Sequence, residues 1–159
     1  MWRILRGLKC LYRRLLVVKS RGLTVGEIQL IRSVFGDALD VDRVKIVAHR
    51  AILRHYAMSP NGNIYFNPAD WCEDFSVMPL VKQSWFIHEM THVWQVQQGV
   101  AVVRKALLDR RYRYQLQPNK TFLNYGIEQQ AQMVQDYFLK KHLGHECSSY
   151  QQCIPFLPI

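Results

Sequence analysis

Residues 88–92 read His-Glu-Met-Thr-His. On a helix, positions i and i+4 lie one above the other, so His88 and His92 can both reach a single metal ion. Glu89 projects beside that face and can hold a proton without ligating. Zn2+ is the expected ion, because it accepts neutral imidazole, tolerates an open tetrahedral position and brings no redox chemistry. A catalytic zinc keeps water in its fourth position and lowers the pKa of that water toward ~7. Glu89 would then take the proton from the water and deliver it to a leaving amine. The competing reading is a helix whose two histidines only hydrogen-bond in the core. Trp85, Phe86 and Ile87 before the motif and Val93 and Trp94 after it make a semi-buried helix, suited to the floor of a cleft.

Such a site needs a third protein ligand. Glu128 is the best candidate: it opens a helix after a long connection, and small Ala131 three residues on allows close approach to the first helix. A set of two histidines and one glutamate matches a known catalytic zinc pattern. The alternative role for Glu128 is a first-turn carboxylate that complements the helix dipole. His142 and His145 are other ligand candidates, although they lie beyond the expected helix in a stretch broken by Gly144. Together with Cys147 and Cys153 they could form a separate structural zinc site, or the two cysteines could pair as a disulfide. His49 and His55 read as ordinary strand and loop histidines.

Positioning these groups requires a frame of helices and strands. Thr24-Val-Gly-Glu27 has the form of a capping box, predicting a helix over 25–34 with Gly36 as its stop. Residues 44–48 alternate as a strand, 51–56 extend or pair nearby, and 63–66 form a second short strand after the turn at 59–62. A loop over 70–80 carries Asp70, Glu73 and Asp74. The metal helix spans 84–98, ended by Gly99, and another helical stretch follows over 100–109. Residues 110–121 are irregular or a hairpin, interrupted by Pro118, and Ile127, Ala131, Val134 and Phe138 recur at helical spacing over 125–140. Pro155 and Pro158 keep the tail from being helical for long. The sum is an α+β domain.

The chain has 159 residues, the length of one domain. With 49% hydrophobic and 21% charged residues, a disordered or collagen-like chain is excluded. No apolar run approaches the ~18 residues that a membrane-spanning helix needs. The net charge of +9 is concentrated at the N-terminus, where residues 1–26 hold seven cations and no acid. There Ile4, Leu5, Leu8, Leu11, Tyr12, Leu15 and Leu16 recur at helical spacing. The expected organisation is a basic amphipathic helix over 1–21 and a single domain over 22–159. That helix covers the domain's own core, lies on an anionic membrane surface or docks in a partner's groove. It lacks the long apolar stretch and cleavage site of a secretory signal. Arg104, Lys105, Arg110, Arg111 and Arg113, interleaved with Tyr112 and Tyr114, resemble a phosphate-and-stacking surface. No nucleic-acid-binding motif accompanies them, so they read as a solvated face without a specific nucleic acid partner.

Residues 86–95 with Gln97-Gln98-Gly99 resemble the zinc helix of a family of small bacterial metallopeptidase domains of the "Vgr-related" kind. These stand alone or are fused to spike and Rhs proteins of type VI secretion systems. Residues 33–37, 60–66 and 125–131 resemble the same family, so the likeness covers about 22–140. It implies a zincin-like fold of the gluzincin kind, with His88, His92 and Glu128 as zinc ligands and Glu89 as catalytic base. It further implies a peptide or protein substrate, a secretion-spike or immunity protein as partner, and a bacterial effector secreted through type VI secretion. Thermolysin-type gluzincins place an Asp four residues after the third ligand to orient a ligating histidine; Gln132 stands there. By the same logic 63–66 is the edge strand that pairs with extended substrate, Tyr125 or Tyr137 donates to the developing oxyanion, and Gln95 supports a ligand or lines the rim. Two rivals are a zincin-fold binding or delivery adaptor without catalysis, and a membrane-associated protein with a structural zinc.

Overall fold

The computed structural model describes residues 16–157. The capping box forms as expected: Thr24 Oγ1 accepts from Glu27 N at 3.0 Å, and Glu27 Oε2 accepts from Thr24 N at 2.9 Å. It starts helix α1 (Val25–Phe35), after which Gly36 takes φ +53°, a left-handed value that favours glycine at a helix stop. Glu27 does more than cap. Its carboxylate is fully buried and accepts two 2.7 Å bonds from Arg21 and one of 2.8 Å from Phe75 N.

Arg21 ends strand β1 (Val17–Arg21), the first strand of a four-stranded sheet. Residues 17–21 therefore do not end the basic helix expected over 1–21; the first fifteen residues of that helix lie outside the described ones. The β-branched and extended run 17–21 hydrogen-bonds antiparallel to β2 (Ile46–His49). Strand β4 (Ile64–Phe66) runs parallel to β2, and β3 (Ala57–Met58) pairs antiparallel with β4, giving the order β1-β2-β4-β3. The segment 63–66 is thus interior to the sheet, flanked on both sides, and not its edge. Among the described residues the sheet's edges are β1 and β3, the latter a two-residue strand too short to leave a periodic signal.

Helix α2 (Leu80–Gln97) starts one turn before the expected 84, directly after Pro79, whose fixed φ suits a helix entrance. From Phe86 to Gln95 every side chain is buried. A helix buried all round is a core helix, so its polar residues must find partners inside the protein. Phe75 stacks on Phe86 and tilts against Phe66, both with ring centroids 4.9 Å apart, fixing α2 against the sheet and α1. After Gly99 comes α3 (Val102–Leu108), then the irregular stretch 109–121, then α4 (Ile127–His142), which packs along α2 with fully buried Ala131 between them. A short helix α5 (Ser148–Cys153), which the proline-rich tail did not announce, sets Ile154 and Leu157 into the same core. No helix among the described residues is long and apolar enough to cross a membrane.

Candidate metal centre

Helical geometry alone brings His88 and His92 into line on α2, their rings 5.0 Å apart. Glu128 enters from the first turn of α4. One of its oxygens, Oε2, lies 3.4 Å from His88 Nε2 and 3.3 Å from His92 Nε2. All three groups are buried, and their ligand atoms lie within 4.8 Å of one another. Among the described residues no second group of this kind occurs. His142 Nδ1 instead bonds Phe138 O at 2.8 Å, Cys147 and Cys153 are free thiols, and neither the second zinc site nor the disulfide forms.

The hydrogen bonds behind the histidines decide which nitrogens are available. His92 Nδ1 lies 2.8 Å from Gln95 Oε1, while Gln95 Nε2 donates to Ile127 O at 3.0 Å and Gln130 Oε1 at 2.9 Å. Gln95 is fully buried, and both of its amide hydrogens are committed to oxygens, so its own oxygen must accept from His92 Nδ1–H. His88 Nδ1 meets Gln135 Oε1 at 3.0 Å in the same way. The two Nε2 atoms then face Glu128 and become free lone pairs when the rings are neutral, the tautomer and orientation that metal-ligating imidazoles require. Gln95, left open in the sequence as a support or a rim residue, is a support. Gln132 does not take the orienting role, for its amide bonds Asp136 at 2.8 Å; Gln135, on the same face as Glu128 two turns on, does.

Electrostatics agree with a cation-binding cluster. Burial alone would raise Glu128, yet hydrogen bonds from His88 and His92 hold its carboxyl well below the usual carboxylate range. Burial would lower His92, but its bond to Glu128 and the charge of Glu89 raise it to about 9. Two carboxylates in a dry site thus attract a positive charge, which a proton on His92 supplies when no metal does. Two bare imidazole nitrogens and one carboxylate oxygen, converging with their outer nitrogens already bonded, fit a tetrahedral Zn2+ with one position left to solvent.

Glu89 stands apart from the three ligands. Its Oε2 accepts from Ser59 Oγ at 3.1 Å, which turns the carboxylate toward the turn after β3. There it lines, with His92 and Glu128, the floor of a cavity of about 80 Å3. Tyr112 comes from the irregular stretch: its ring lies 6.0 Å from His88 at 28°, within electrostatic reach of Glu128. Burial and the nearby Glu128 and Glu89 push the phenol up to about 12, so it remains a donor. Tyr125 and Tyr137, the candidates named from sequence, lie elsewhere. Tyr125 Oη donates to Gln115 O at 2.9 Å, and Tyr137 is buried against Tyr150. Only the basic-aromatic run 104–114 hinted at Tyr112, and that run read as a solvated face.

No family model matches this chain. The type VI secretion system spike protein VgrG2b of Pseudomonas aeruginosa is 43% identical over 146 residues, a match that takes in 82% of this chain. This chain spans 14% of the length of that spike protein. The solved structure of the effector domain of Pseudomonas aeruginosa VgrG2b superposes with a TM-score of 0.75 at 39% identity, over 89% of this chain and 86% of that one. The chain belongs to the family of the VgrG2b effector domain, a small α+β fold.

Proposed function

We propose that this protein is a zinc-dependent peptidase of the gluzincin kind, acting as a type VI secretion effector. The observation that carries this reading is the convergence of His88 Nε2, His92 Nε2 and Glu128 Oε2, with both outer imidazole nitrogens already committed to Gln135 and Gln95. When bound, Zn2+ would polarise a substrate carbonyl and acidify a water molecule. His88, His92 and Glu128 would hold the ion, and the chain's remaining groups divide the other work. Glu89, aimed by Ser59 toward the cavity, accepts a proton from the attacking water and passes it to the leaving amine. Tyr112 donates its hydroxyl hydrogen to the oxygen that gains charge. β3, as a free sheet edge, pairs with the backbone of an extended substrate.

The kinship with a spike protein's effector domain supports delivery by a type VI spike and export from a bacterium. A purely adapting role is disfavoured, because an adaptor has no use for a buried carboxylate turned from the ligands into the cavity. Zinc content by elemental analysis and cleavage of unfolded protein, measured on the parent and on Glu89→Gln, test the reading. Glu89→Gln is expected to keep one zinc per chain and lose turnover by at least about a hundredfold. A parent protein that neither retains zinc nor cleaves polypeptide overturns it.

A further inference from the structure

We propose that the slot between β3 and α3 selects the substrate: an extended polypeptide with a small aliphatic side chain next to the bond that is cut. This rests on the peptidase reading above and specifies its substrate class. Two elements make the slot. One wall is the edge strand β3 and the turn after it, with Met58 and Pro60 facing in; the other is α3, which contributes Val102, Val103 and Ala106. The floor holds Glu89, His92 and Glu128, so whatever enters the slot lies beside the reacting groups.

Size and polarity set the selection. The slot measures about 80 Å3. That exceeds the ~30 Å3 share of one water but falls well short of the ~150 Å3 apolar cavity that accepts a benzene ring. An alanine or valine side chain fits; a phenylalanine ring does not. Ser59 is the one polar side chain on the walls and its hydroxyl is committed to Glu89, so a polar side chain entering among Met58, Val102, Val103 and Ala106 would recover few of its hydrogen bonds to water. With Glu128 offset by the ion, Glu89 on the floor opposes an acidic one by like charge. β3 meanwhile has no strand partner on its outer side among the described residues, which leaves its backbone free to align the substrate.

The test uses zinc-loaded protein and a peptide series differing at that one residue: Gly, Ala, Val, Leu, Phe and Asp. The parent is expected to favour Ala and Val over Phe and Asp by at least about tenfold in kcat/KM, the discrimination that a methylene or more carries in an apolar pocket. Met58 and Val103 are 46% and 40% exposed, so their joint replacement by Ala widens the slot with little strain. That variant is expected to raise the Phe-to-Val ratio about tenfold, and Ala106→Leu to move the optimum to Gly. Equilibrium binding of the same peptides to Glu89→Gln protein, which does not turn them over, gives a second readout. Binding that follows side-chain size without any cleavage by the parent would leave the slot standing and sink the peptidase reading. Cleavage and binding both indifferent to that residue, or Ala106→Leu lowering all six peptides alike, would overturn the slot.

Discussion

Gln95→Ala separates support of the metal site from simple core packing. The side chain is fully buried and joins three partners: His92 Nδ1, Ile127 O and Gln130 Oε1. Truncation leaves one imidazole N–H and two oxygens without it, and each buried group so stranded costs about 1–3 kcal/mol. Partial relaxation, with Gln130 still bonded to Tyr125 O at 2.8 Å, keeps the expected loss near ~3–4 kcal/mol in the metal-free protein. That is a large part of the ~5–15 kcal/mol that holds a domain folded. A second loss should appear only with zinc. Without Gln95, the His92 ring is free to turn and its Nε2 becomes a poorer ligand, which lowers metal affinity by about 10–100-fold. At saturating zinc the added stabilisation should therefore shrink by about 1.4–2.7 kcal/mol. Urea unfolding of the zinc-free and zinc-loaded forms, with zinc affinity by chelator competition, measures both losses on one protein. Gln98→Ala, an exposed change at the C-cap of the same helix, serves as the control. Zinc affinity equal to the parent's, beside a destabilised fold, would show that Gln95 only fills the core and would refute the reasoning.

Tyr112→Phe is expected to leave zinc content unchanged and lower kcat by about 10–100-fold, with KM little moved; steady-state kinetics on a single cleavable peptide decides it. In zinc-free protein, His92 is raised to about 9, so its contribution is complete below pH ~6.5 and is lost as pH rises through about 9. Glu128 is lowered, so its contribution is present above pH ~4.5 and is lost as pH falls through its depressed folded value. Urea midpoints of the stripped protein should accordingly be highest between about pH 4.5 and 6.5, and the alkaline decline should vanish on adding zinc. Arg21→Met strands the buried Glu27 carboxylate and is expected to cost about 3–5 kcal/mol by thermal unfolding. Restoring most of that loss with a second change, Glu27→Gln, would confirm that the stranded charge is the cause.

What was legible in the sequence was local. His88 and His92 are visible because i, i+4 spacing is a property of one helix, and Glu128 because it opens a helix with a small residue one turn on. The Thr24–Glu27 capping box is equally self-contained. The groups that complete the site are set by tertiary contact. Gln95 and Gln135 look like any polar helix residue until α2 and α4 pack together, and Tyr112 arrives from a stretch with no periodicity at all. The edge strand was misplaced for a related reason: β3 has two residues, so period-2 alternation cannot mark it, while the clearer strand 63–66 ends up in the sheet interior. Residues 17–21 follow a run of leucines at helical spacing, which masks the preference of Val17 and Val18 for the extended backbone they adopt in β1.

Helix α2 ties the stability of this fold to its chemistry. Over ten residues it buries His88, Glu89, Thr91, His92 and Gln95 among Phe86, Ile87, Met90, Val93 and Trp94. The apolar members anchor the helix in the core. Thr91 satisfies itself by donating to Ile87 O at 3.0 Å, but the other four polar side chains depend on β3, α4 and each other. Such a set is favourable only when every member is satisfied, and here the Nε2 atoms of both histidines face one carboxylate oxygen at 3.4 and 3.3 Å, which can accept a hydrogen bond only from an imidazole that carries a second proton. A cation at that point would relieve the shared acceptor, neutralise Glu128 and release the proton that His92 otherwise holds. On the proposed reading, binding a metal would complete the pairing of this polar set, and the elements that supply it, α2, α4 and the turn after β3, are those that frame the cleft.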